Sequence, residues 1–327
     1  MQWLITGGCG FIGTALIKYL MLSANPPRIR IVDNLSVGTR SDLARVTEFS
    51  ESRSNDCSWD KAVTLVVADI KDAQVSNELA LGADIIFHLA ANTGVGPSVE
   101  EPRFDMLTNV IGVFNYLDAA RVNKVPRFVF ASSGAPVGEV DPPIHEEIPP
   151  KPVSPYGASK LAGEGYCSAY YRTFGVETVT LRFGNVYGPG SSHKDSVVAK
   201  FIKKALAGES LEIFGDGSQT RDFIFIDDLI LALIRSASAS EVGGEIFQIA
   251  TSRETSIQEM VVELAKVLND RGVTEFDIIH GSERLGDVAR NFSDTTKAKE
   301  RLGWQASFDL RVGLGKTVDY FLSEQNV

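Results

Sequence analysis

The sequence Thr6-Gly7-Gly8-Cys9-Gly10-Phe11-Ile12-Gly13 is the strongest indication of the class of fold. It follows a short apolar run that predicts a strand, and residues 11–22 have the spacing of a helix. At such a turn Gly7 allows the tight bend, Gly10 lets a pyrophosphate approach the backbone, and Gly13 lets the helix pack against the sheet. The sequence therefore predicts a dinucleotide site where the first strand meets the first helix.

Asp33 supports this interpretation, because it stands at the end of the next predicted strand, residues 29–32. A carboxylate at that strand end accepts hydrogen bonds from a ribose 2′-hydroxyl and repels a 2′-phosphate. A lone glycine pattern is weak, but here the strand, the helix and the acidic residue occur together. We therefore predict NAD, rather than NADP, as the cofactor.

Composition and charge exclude several classes of protein. The chain has 327 residues, 44% of them hydrophobic, and 42 acidic against 32 basic residues give a net charge of −10. Without a dense run of Lys and Arg we expect no nucleic-acid partner. The cysteines and histidines are dispersed, so we expect no metal site. No segment approaches the roughly 20 apolar residues of a membrane span, so we expect a cytoplasmic protein without membrane contact.

Strands and helices alternate along the first half of the chain. Short apolar runs at residues 63–67, 84–88 and 127–130 suit strands that are covered on both faces, and residues 104–122 and 156–174 have helical spacing. We expect one short helix within the polar stretch 36–61. The alternation predicts an α/β fold with a Rossmann-type, doubly wound parallel sheet.

The pattern of predicted elements changes after residues 136–155. This stretch is rich in proline, and we expect it to be a loop at the carboxyl end of the sheet. Shorter elements follow residue 185. We predict an NAD-binding domain with the catalytic residues at 1–180 and a smaller α/β substrate-binding lobe at 181–327, interleaved with the first.

Tyr156 and Lys160 are candidate catalytic residues. They stand four apart at the start of a predicted helix, and hence on one face. A tyrosine with a pKa of ~10 is a poor base at neutral pH. A nearby ammonium and the positive ring of an oxidised nicotinamide would lower that pKa. Ser133, at the end of a core strand, completes the candidate triad.

These motifs resemble those of the extended short-chain dehydrogenase/reductases, and most closely the nucleotide-sugar epimerases and dehydratases that include UDP-galactose 4-epimerases. The resemblance covers nearly the whole chain. The matching segments are Thr6 to Gly13, Asp33-Asn34-Leu35, Ala68-Asp69-Ile70, His88-Leu89-Ala90-Ala91, Thr108-Asn109-Val110, Ser132-Ser133, Ser154-Pro155-Tyr156 with Lys160, Asn185-Val186-Tyr187-Gly188-Pro189, Gly215 to Ile224, and Arg284 with Gly286-Asp287.

The resemblance implies a role for each matching residue. In the cofactor site, Asp69 would bind the adenine, Leu89 to Ala91 would line the pyrophosphate and the nicotinamide ribose, and Asn109 would support the backbone. The remaining cofactor residues would be Gly7, Gly10, Phe11, Ile12, Gly13, Asp33, Asn34, Ile70, Tyr156 and Lys160. In the substrate site, Ser133 would bind the sugar 4-hydroxyl, Asn185 the diphosphate end, Phe214 the base, and Arg221 and Arg284 the diphosphate, to which a guanidinium donates paired hydrogen bonds.

The chain departs from its dehydratase and decarboxylase relatives after Ser133. Those relatives carry an acidic residue there, whereas this chain has Gly134-Ala135-Pro136. The departure favours reversible hydride transfer, and hence a UDP-hexose 4-epimerase. A dehydratase or decarboxylase, a simple reductase and a non-catalytic NAD-binding protein remain alternatives. Val137 replaces the usual tyrosine of this loop.

The preferred sugar and the assembly follow less directly. Counting from Arg284, the position that limits the size of the sugar's C2 substituent is Asn291, which is smaller than the usual tyrosine. A UDP-N-acetylhexosamine is then a candidate substrate. UDP-glucuronate is another, if Arg290 takes that position and pairs with the carboxylate. The resemblance also implies a homodimer through helices 104–122 and 156–174, with Tyr166, Ala169 and Tyr170 as contacts.

Overall fold

A parallel sheet is the centre of the computed structural model, which describes residues 1–54, 58–193, 196–283 and 288–325. The strands, in chain order, are β1 (Gln2–Thr6), β2 (Arg28–Asp33), β3 (Ser50–Ser52), β4 (Val63–Val67), β5 (Ile85–His88), β6 (Arg127–Ser133), β7 (Glu177–Phe183), β8 (Asn185–Tyr187), β9 (Leu211–Phe214), β10 (Thr220–Arg221), β11 (Phe223–Phe225), β12 (Glu245–Ile249), β13 (Thr255–Ser256) and β14 (Ile278–Gly281).

Helices connect these strands. They are α1 (Phe11–Met21), α2 (Arg40–Ala44), α3 (Ala73–Ala80), α4 (Val95–Glu100), α5 (Pro102–Met106), α6 (Gly112–Val122), α7 (Pro155–Phe174), α8 (Val197–Leu206), α9 (Ile226–Ser238), α10 (Ile257–Asn269), α11 (Thr296–Leu302) and α12 (Leu310–Gln325). A π-helical turn, Leu107–Ile111, joins α5 to α6. None of the helices in the described ranges is long and apolar enough to span a membrane.

Eight strands form the main sheet in the order β12-β7-β6-β5-β1-β2-β4-β3, and all of its strand pairs are parallel. The direction of winding reverses between β1 and β5, where Thr6 pairs with His88. Parallel strands end at one edge, and the crevice at such a reversal is where these sheets bind ligands. The predicted doubly wound fold is confirmed.

Each face of the sheet is covered by helices because successive side chains of a buried strand point to opposite sides. In β1, Leu4 packs with residues of α3, α6 and α7, whereas Ile5 packs with residues of α1, α8 and α9. Both side chains are fully buried. This double burial explains why the strands are almost continuously apolar.

Several elements differ from the sequence prediction. The stretch 36–61 holds the expected short helix, α2, but also the edge strand β3, whose residues Ser50–Ser52 carry no apolar signal. Helices α3 and α4 and strand β12 were also not predicted. Strand β12 comes from the C-terminal half, yet it pairs with β7 in the main sheet. The two halves therefore share one sheet, and the division at residue 180 remains a prediction.

Candidate active site

The glycine turn leaves the backbone open at the carboxyl end of β1. Gly7 has a φ of +71°, and a Cβ there would lie 2.7 Å from the Ala90 nitrogen. A Cβ on Gly13 would lie 2.3 Å from the Gly7 carbonyl oxygen. Gly10 precedes α1, and no side chain caps the start of this helix. This glycine cradle, a tight turn that ends at an uncapped helix start, fits a pyrophosphate.

Asp33 lies beside the glycine turn. Its Oδ2 accepts a hydrogen bond from the Cys9 nitrogen at 3.0 Å, and its Oδ1 accepts one from the Leu35 nitrogen at 2.9 Å. Burial raises the pKa of this carboxyl, and the two backbone donors oppose the rise. The carboxylate therefore has the position expected of a ribose ligand at the tip of β2.

The next strand end carries Asp69 and Ile70, which follow β4. Asn34 donates to Asp69 Oδ2 at 3.5 Å, and Asp69 Oδ1 accepts from the Lys71 nitrogen at 2.9 Å. Ile70 is buried and packs against Gly112 of α6. Asn34 and Asp69 are thus adjacent on the side of the sheet where the resemblance places the adenine.

The ends of β1 and β5 are locked together by side-chain hydrogen bonds. Thr6 Oγ1 accepts from the Ala90 nitrogen at 3.2 Å and bonds His88 Nδ1 at 3.1 Å. Burial lowers the pKa of His88 to about 3, so its ring is neutral. These contacts fix the backbone of Leu89 to Ala91.

Asn109 fixes the segment that follows Ala91. Its Oδ1 accepts from the Asn92 nitrogen at 2.8 Å, and its Nδ2 donates to the Asn92 carbonyl oxygen at 2.8 Å. The same Nδ2 also lies 2.9 Å from Asp105 Oδ1 and 3.3 Å from Ser159 Oγ. The π-helical turn that carries Asn109 is thereby tied both to this loop and to α7.

A cavity of about 210 Å³ opens at this edge of the sheet. It brings together seven of the residues that the sequence predicted for the site, which are Ile12, Leu89, Ala91, Ser133, Tyr156, Lys160 and Asn185. They come from α1, the loop after β5, the end of β6, α7 and β8, which are far apart in the sequence. The fold thus gathers the three candidate catalytic side chains around one space.

Tyr156 is protonated at neutral pH in this arrangement. Burial raises its pKa to about 12, a hydrogen bond with Ser133 lowers it, and the charge of Asp105 raises it further. Ser133 Oγ also accepts from the Ala135 nitrogen at 3.2 Å. A further positive charge is therefore needed before Tyr156 can act as a base near neutral pH.

Lys160 is 3% exposed and lies behind Tyr156. Its Nζ donates to the Ala131 carbonyl oxygen at 2.8 Å and lies 5.9 Å from the centre of the Tyr156 ring. The ammonium is close to the tyrosine, as its spacing predicted, but it also bonds the strand that ends in Ser133.

The start of α8 also lines the cavity, although no site residue was predicted there. Ser196 precedes the helix, its Oγ is buried, and that atom has no hydrogen-bond partner in the described structure. Val197 and Val198 continue this wall. The signal in the sequence was a serine directly before an apolar helix, which is typical of a helix N-cap.

The predicted nucleotide residues lie away from this cavity. Phe214 ends β9, with Lys200 Nζ 6.0 Å from the centre of its ring. Arg221 Nη1 donates to the carbonyl oxygens of Thr220 at 2.6 Å and Val288 at 2.7 Å. Arg284 lies outside the described residues.

Arg290 and Asn291 also lie apart from the cavity lining. Arg290 is exposed, and its Nε and Nη2 donate to the two carboxylate oxygens of Glu254 at 2.7 and 2.8 Å. The Asn291 nitrogen donates to Thr220 Oγ1 at 3.3 Å. Since Glu254 already neutralises Arg290, the structure does not favour Arg290 as the partner of a sugar carboxylate.

Known proteins match this chain over its whole length. The model of the NAD dependent epimerase/dehydratase family matches residues 3–250. A UDP-glucose 4-epimerase of Mycolicibacterium smegmatis is 37% identical over 326 residues, which are 98% of this chain and 98% of that protein.

Two solved structures extend the match to three dimensions. A UDP-glucose 4-epimerase of Thermotoga maritima, with UDP-glucose, superposes with a TM-score of 0.88 at 32% identity and covers 99% of this chain and 100% of its own. A UDP-N-acetylglucosamine 4-epimerase of Methanobrevibacter ruminantium, in complex with UDP-N-acetylmuramic acid, has a TM-score of 0.87 at 28% identity, with coverages of 99% and 98%.

These matches confirm the resemblance seen in the motifs and the prediction of NAD. The glycine cradle and Asp33 fit the dinucleotide that the family description names. The chain therefore belongs to the NAD-dependent epimerase/dehydratase family, and its cofactor is NAD.

Proposed function

We propose that the chain is a UDP-hexose 4-epimerase, which inverts C4 through a 4-keto intermediate. The observation that carries the proposal is the composition of the cavity wall. Ser133, Tyr156 and Lys160 line it together, and none of the described lining residues is Asp or Glu. Such a wall can move a proton at the 4-hydroxyl but lacks a carboxylate to assist the loss of water.

Tyr156 is the proposed base for the 4-hydroxyl. The protein groups alone hold its pKa at about 12, so the reaction needs additional positive charge near the phenol. When bound, NAD supplies that charge on its nicotinamide ring and accepts the C4 hydride before returning it. Lys160 helps to retain the phenolate, because its ammonium lies 5.9 Å from the centre of the Tyr156 ring.

Ser133 is proposed to orient the reacting oxygen. It lines the cavity together with Tyr156 and lowers the pKa of that phenol, and its Oγ accepts from the Ala135 nitrogen, so it lies where the sugar's 4-oxygen has to approach the phenol. A hydroxyl at this place donates to the developing carbonyl oxygen. Inversion at C4 requires the 4-keto sugar to turn about its diphosphate linkage, and Ser133 and Tyr156 would then orient and protonate the 4-oxygen from the same side of the cavity.

The other end of the substrate is proposed to bind toward β8 to β10. Asn185 lines the cavity, and the open N-terminus of α8 beside Ser196 suits an anion. Arg221 and Arg284 are proposed to hold the diphosphate, and Phe214 to flank the base. The Arg221 guanidinium donates to the Val288 carbonyl oxygen and so holds the backbone at this end of the proposed substrate site.

Three other functions are less well supported. A dehydratase or decarboxylase needs an acidic group after Ser133, where this chain has Gly134 and Ala135. A reductase that exchanges NADP conflicts with the carboxylate of Asp33. A non-catalytic NAD-binding protein has no need of the Ser133, Tyr156 and Lys160 arrangement.

By the count from Arg284, the resemblance makes Asn291 the residue that limits the C2 substituent, so a UDP-N-acetylhexosamine is a second candidate substrate, although Asn291 does not line the cavity itself. The exposed Arg290–Glu254 pair argues against UDP-glucuronate. One extra group in a pocket changes transition-state binding by about 1–3 kcal/mol. Competition kinetics of the native protein and Asn291→Tyr measure this preference.

The direct test incubates the purified protein with a panel of UDP-sugars and analyses the products by mass spectrometry and NMR. We expect a product of unchanged mass with inverted configuration at C4, without added cofactor. A product lighter by one water or one carbon dioxide would instead identify a dehydratase or a decarboxylase. Tyr19→Phe, an exposed tyrosine of α1, serves as the matched control for Tyr156→Phe.

A further inference from the structure

Helix α7 forms hydrogen bonds with the two residues of β6 that directly precede Ser133. Lys160 Nζ donates to the Ala131 carbonyl oxygen at 2.8 Å, and Ser132 Oγ donates to Glu164 Oε1 at 2.6 Å. Lys160, Glu164 and Ser132 are 3%, 3% and 4% exposed. The helix that carries Tyr156 and the strand that ends in Ser133 are therefore joined by two buried polar contacts.

An ion pair holds Glu164 in place. Arg182, which is paired with Ser132 across β6 and β7, donates from Nε to Oε1 at 2.8 Å and from Nη2 to Oε2 at 2.7 Å. Both side chains of the pair are 2% exposed. The paired donors fix the plane of the carboxylate, and hence the direction in which it meets Ser132.

Stability alone is a weak reason for this arrangement. The cost of taking two charges out of water offsets most of their attraction, and apolar residues of similar volume are often as stable in their place. The Glu164–Arg182 pair provides a contact of defined geometry with Ser132, which an apolar cluster would not.

We propose that Glu164 is a positioning residue which, through Ser132, holds Ser133 in register with Tyr156. The inference rests on the proposed function, in which Ser133 and Tyr156 act on one oxygen atom. Ser132 and Ser133 share a rigid peptide unit, so fixing the first restricts the second. A displacement of about 1 Å in a reacting group can cost on the order of a hundredfold in rate.

The chain offers a matched control on the same helix and the neighbouring strand. Thr178 Oγ1, on β7, donates to the Cys167 carbonyl oxygen of α7 at 2.8 Å, and Thr178 is fully buried. This contact joins α7 to β7, the strand beside β6, at the end away from the cavity. Thr178→Val therefore removes one buried hydrogen bond between helix and sheet without touching the site.

The experiment compares Ser132→Ala, Glu164→Gln and Thr178→Val as NAD-bound protein. Ser132→Ala is the principal variant, because it leaves the Glu164–Arg182 pair intact, whereas Glu164→Gln also leaves a buried guanidinium without its counter-ion. Measurements are kcat and KM for the UDP-sugar that the native protein turns over, NAD content, thermal stability, and the titration of Tyr156. Ultraviolet difference spectra against the same protein with Tyr156→Phe isolate that titration.

The Tyr156 titration is the readout that a purely structural contact would not move. Asp105 of α5 and the hydroxyl of Ser133 act on the pKa of the phenol, and the Lys160 ammonium of α7 lies 5.9 Å from the centre of its ring. Ser132→Ala leaves all three in the chain. Because the Ser133 hydrogen bond lowers the pKa of Tyr156, a displaced Ser133 shifts the titration to higher pH.

We expect Ser132→Ala to lower kcat about ten- to a hundredfold with KM and NAD content little changed, and to move the Tyr156 titration upward. Thr178→Val should lose comparable stability yet keep the native kcat and titration. A Ser132→Ala protein that keeps the native kcat or the native titration overturns the proposal. If the native protein turns over no UDP-sugar, the proposed function fails, while the titration alone still decides the role of Glu164.

Discussion

The two ends of the site are built in different ways. At the cofactor end, the turn from Gly7 to Gly13 binds through backbone that no side chain obstructs, and a Cβ on Gly13 would lie 2.3 Å from a carbonyl oxygen. At the proposed substrate end, Phe214 and Arg221 stand on short strands and would act through long side chains. The comparison shows that a backbone site is specified by residue type, whereas a side-chain site depends on how separate loops are arranged.

The largest effect should come from the residue that lies between these two ends. We expect Tyr156→Phe to reduce epimerase activity about 10²- to 10⁴-fold, since only the proton acceptor is lost. Bound NAD should be retained, because the glycine turn is untouched. Activity and NAD content are measured beside Tyr19→Phe, and a loss of less than about tenfold contradicts the assigned role.

The cofactor end can be broken by a single methyl group. Gly13→Ala forces a Cβ against the Gly7 carbonyl oxygen and should destabilise the NAD-bound protein by about 1–3 kcal/mol, with loss of bound cofactor. Gly165→Ala is the control, because Gly165 is exposed on α7 and its Cβ would meet no atom within 4 Å. Thermal unfolding and the NAD released on denaturation measure both. Equal NAD content in the two variants would refute the backbone account.

A smaller effect is expected from Ser133→Ala on the pH profile. The hydrogen bond from Ser133 lowers the pKa of Tyr156, so removing it raises that pKa. Because the phenolate is the active form, the acid limb of the kcat profile should move to higher pH, with about a tenfold loss for each unit at a fixed pH below it. Ser238→Ala, at an exposed serine of α9, is the control. If the acid limb does not move, Ser133 does not act on the pKa of Tyr156, and this prediction is wrong.

The last prediction concerns assembly, and we expect it to have the smallest effect on catalysis. We propose the homodimer that the resemblance implies. Tyr166 is 40% exposed and Phe114 is 37% exposed, and their rings are 5.4 Å apart, whereas Tyr170 is largely buried within the chain. We expect light scattering to give about twice 35.5 kDa for the native protein and for Tyr19→Glu. Tyr166→Glu should shift it toward the monomer. A native monomer would contradict the proposal.

The sequence predicted most of the cofactor half for a physical reason. Buried parallel strands are apolar runs of limited length, and the glycine pattern and Asp33 follow from backbone geometry that any such turn requires. The Tyr156 and Lys160 pair was predictable because helical spacing places both on one face. The sequence alone therefore predicted both the fold and the local arrangement of the glycine turn, Asp33, Tyr156 and Lys160.

The missed features depend on contacts distant in the sequence. Strand β3, Ser50–Ser52, is a polar edge strand that only its pairing with β4 defines. Ser132 looked like a companion of Ser133, yet its hydroxyl is bound to Glu164, which stands 32 residues later. Arg290 looked available for a substrate carboxylate until the fold placed Glu254 against it. None of these partners could be paired from spacing alone.

Deuterium placed at C4 of the UDP-sugar shows whether the chain epimerises that carbon through its own bound NAD. If the chain oxidises and then reduces the same carbon with its own bound NAD, the inverted product should carry the deuterium at C4 and keep the substrate's mass. Loss of the label to solvent, its appearance at another carbon, or a product that has lost water would contradict epimerisation by Ser133, Tyr156 and Lys160.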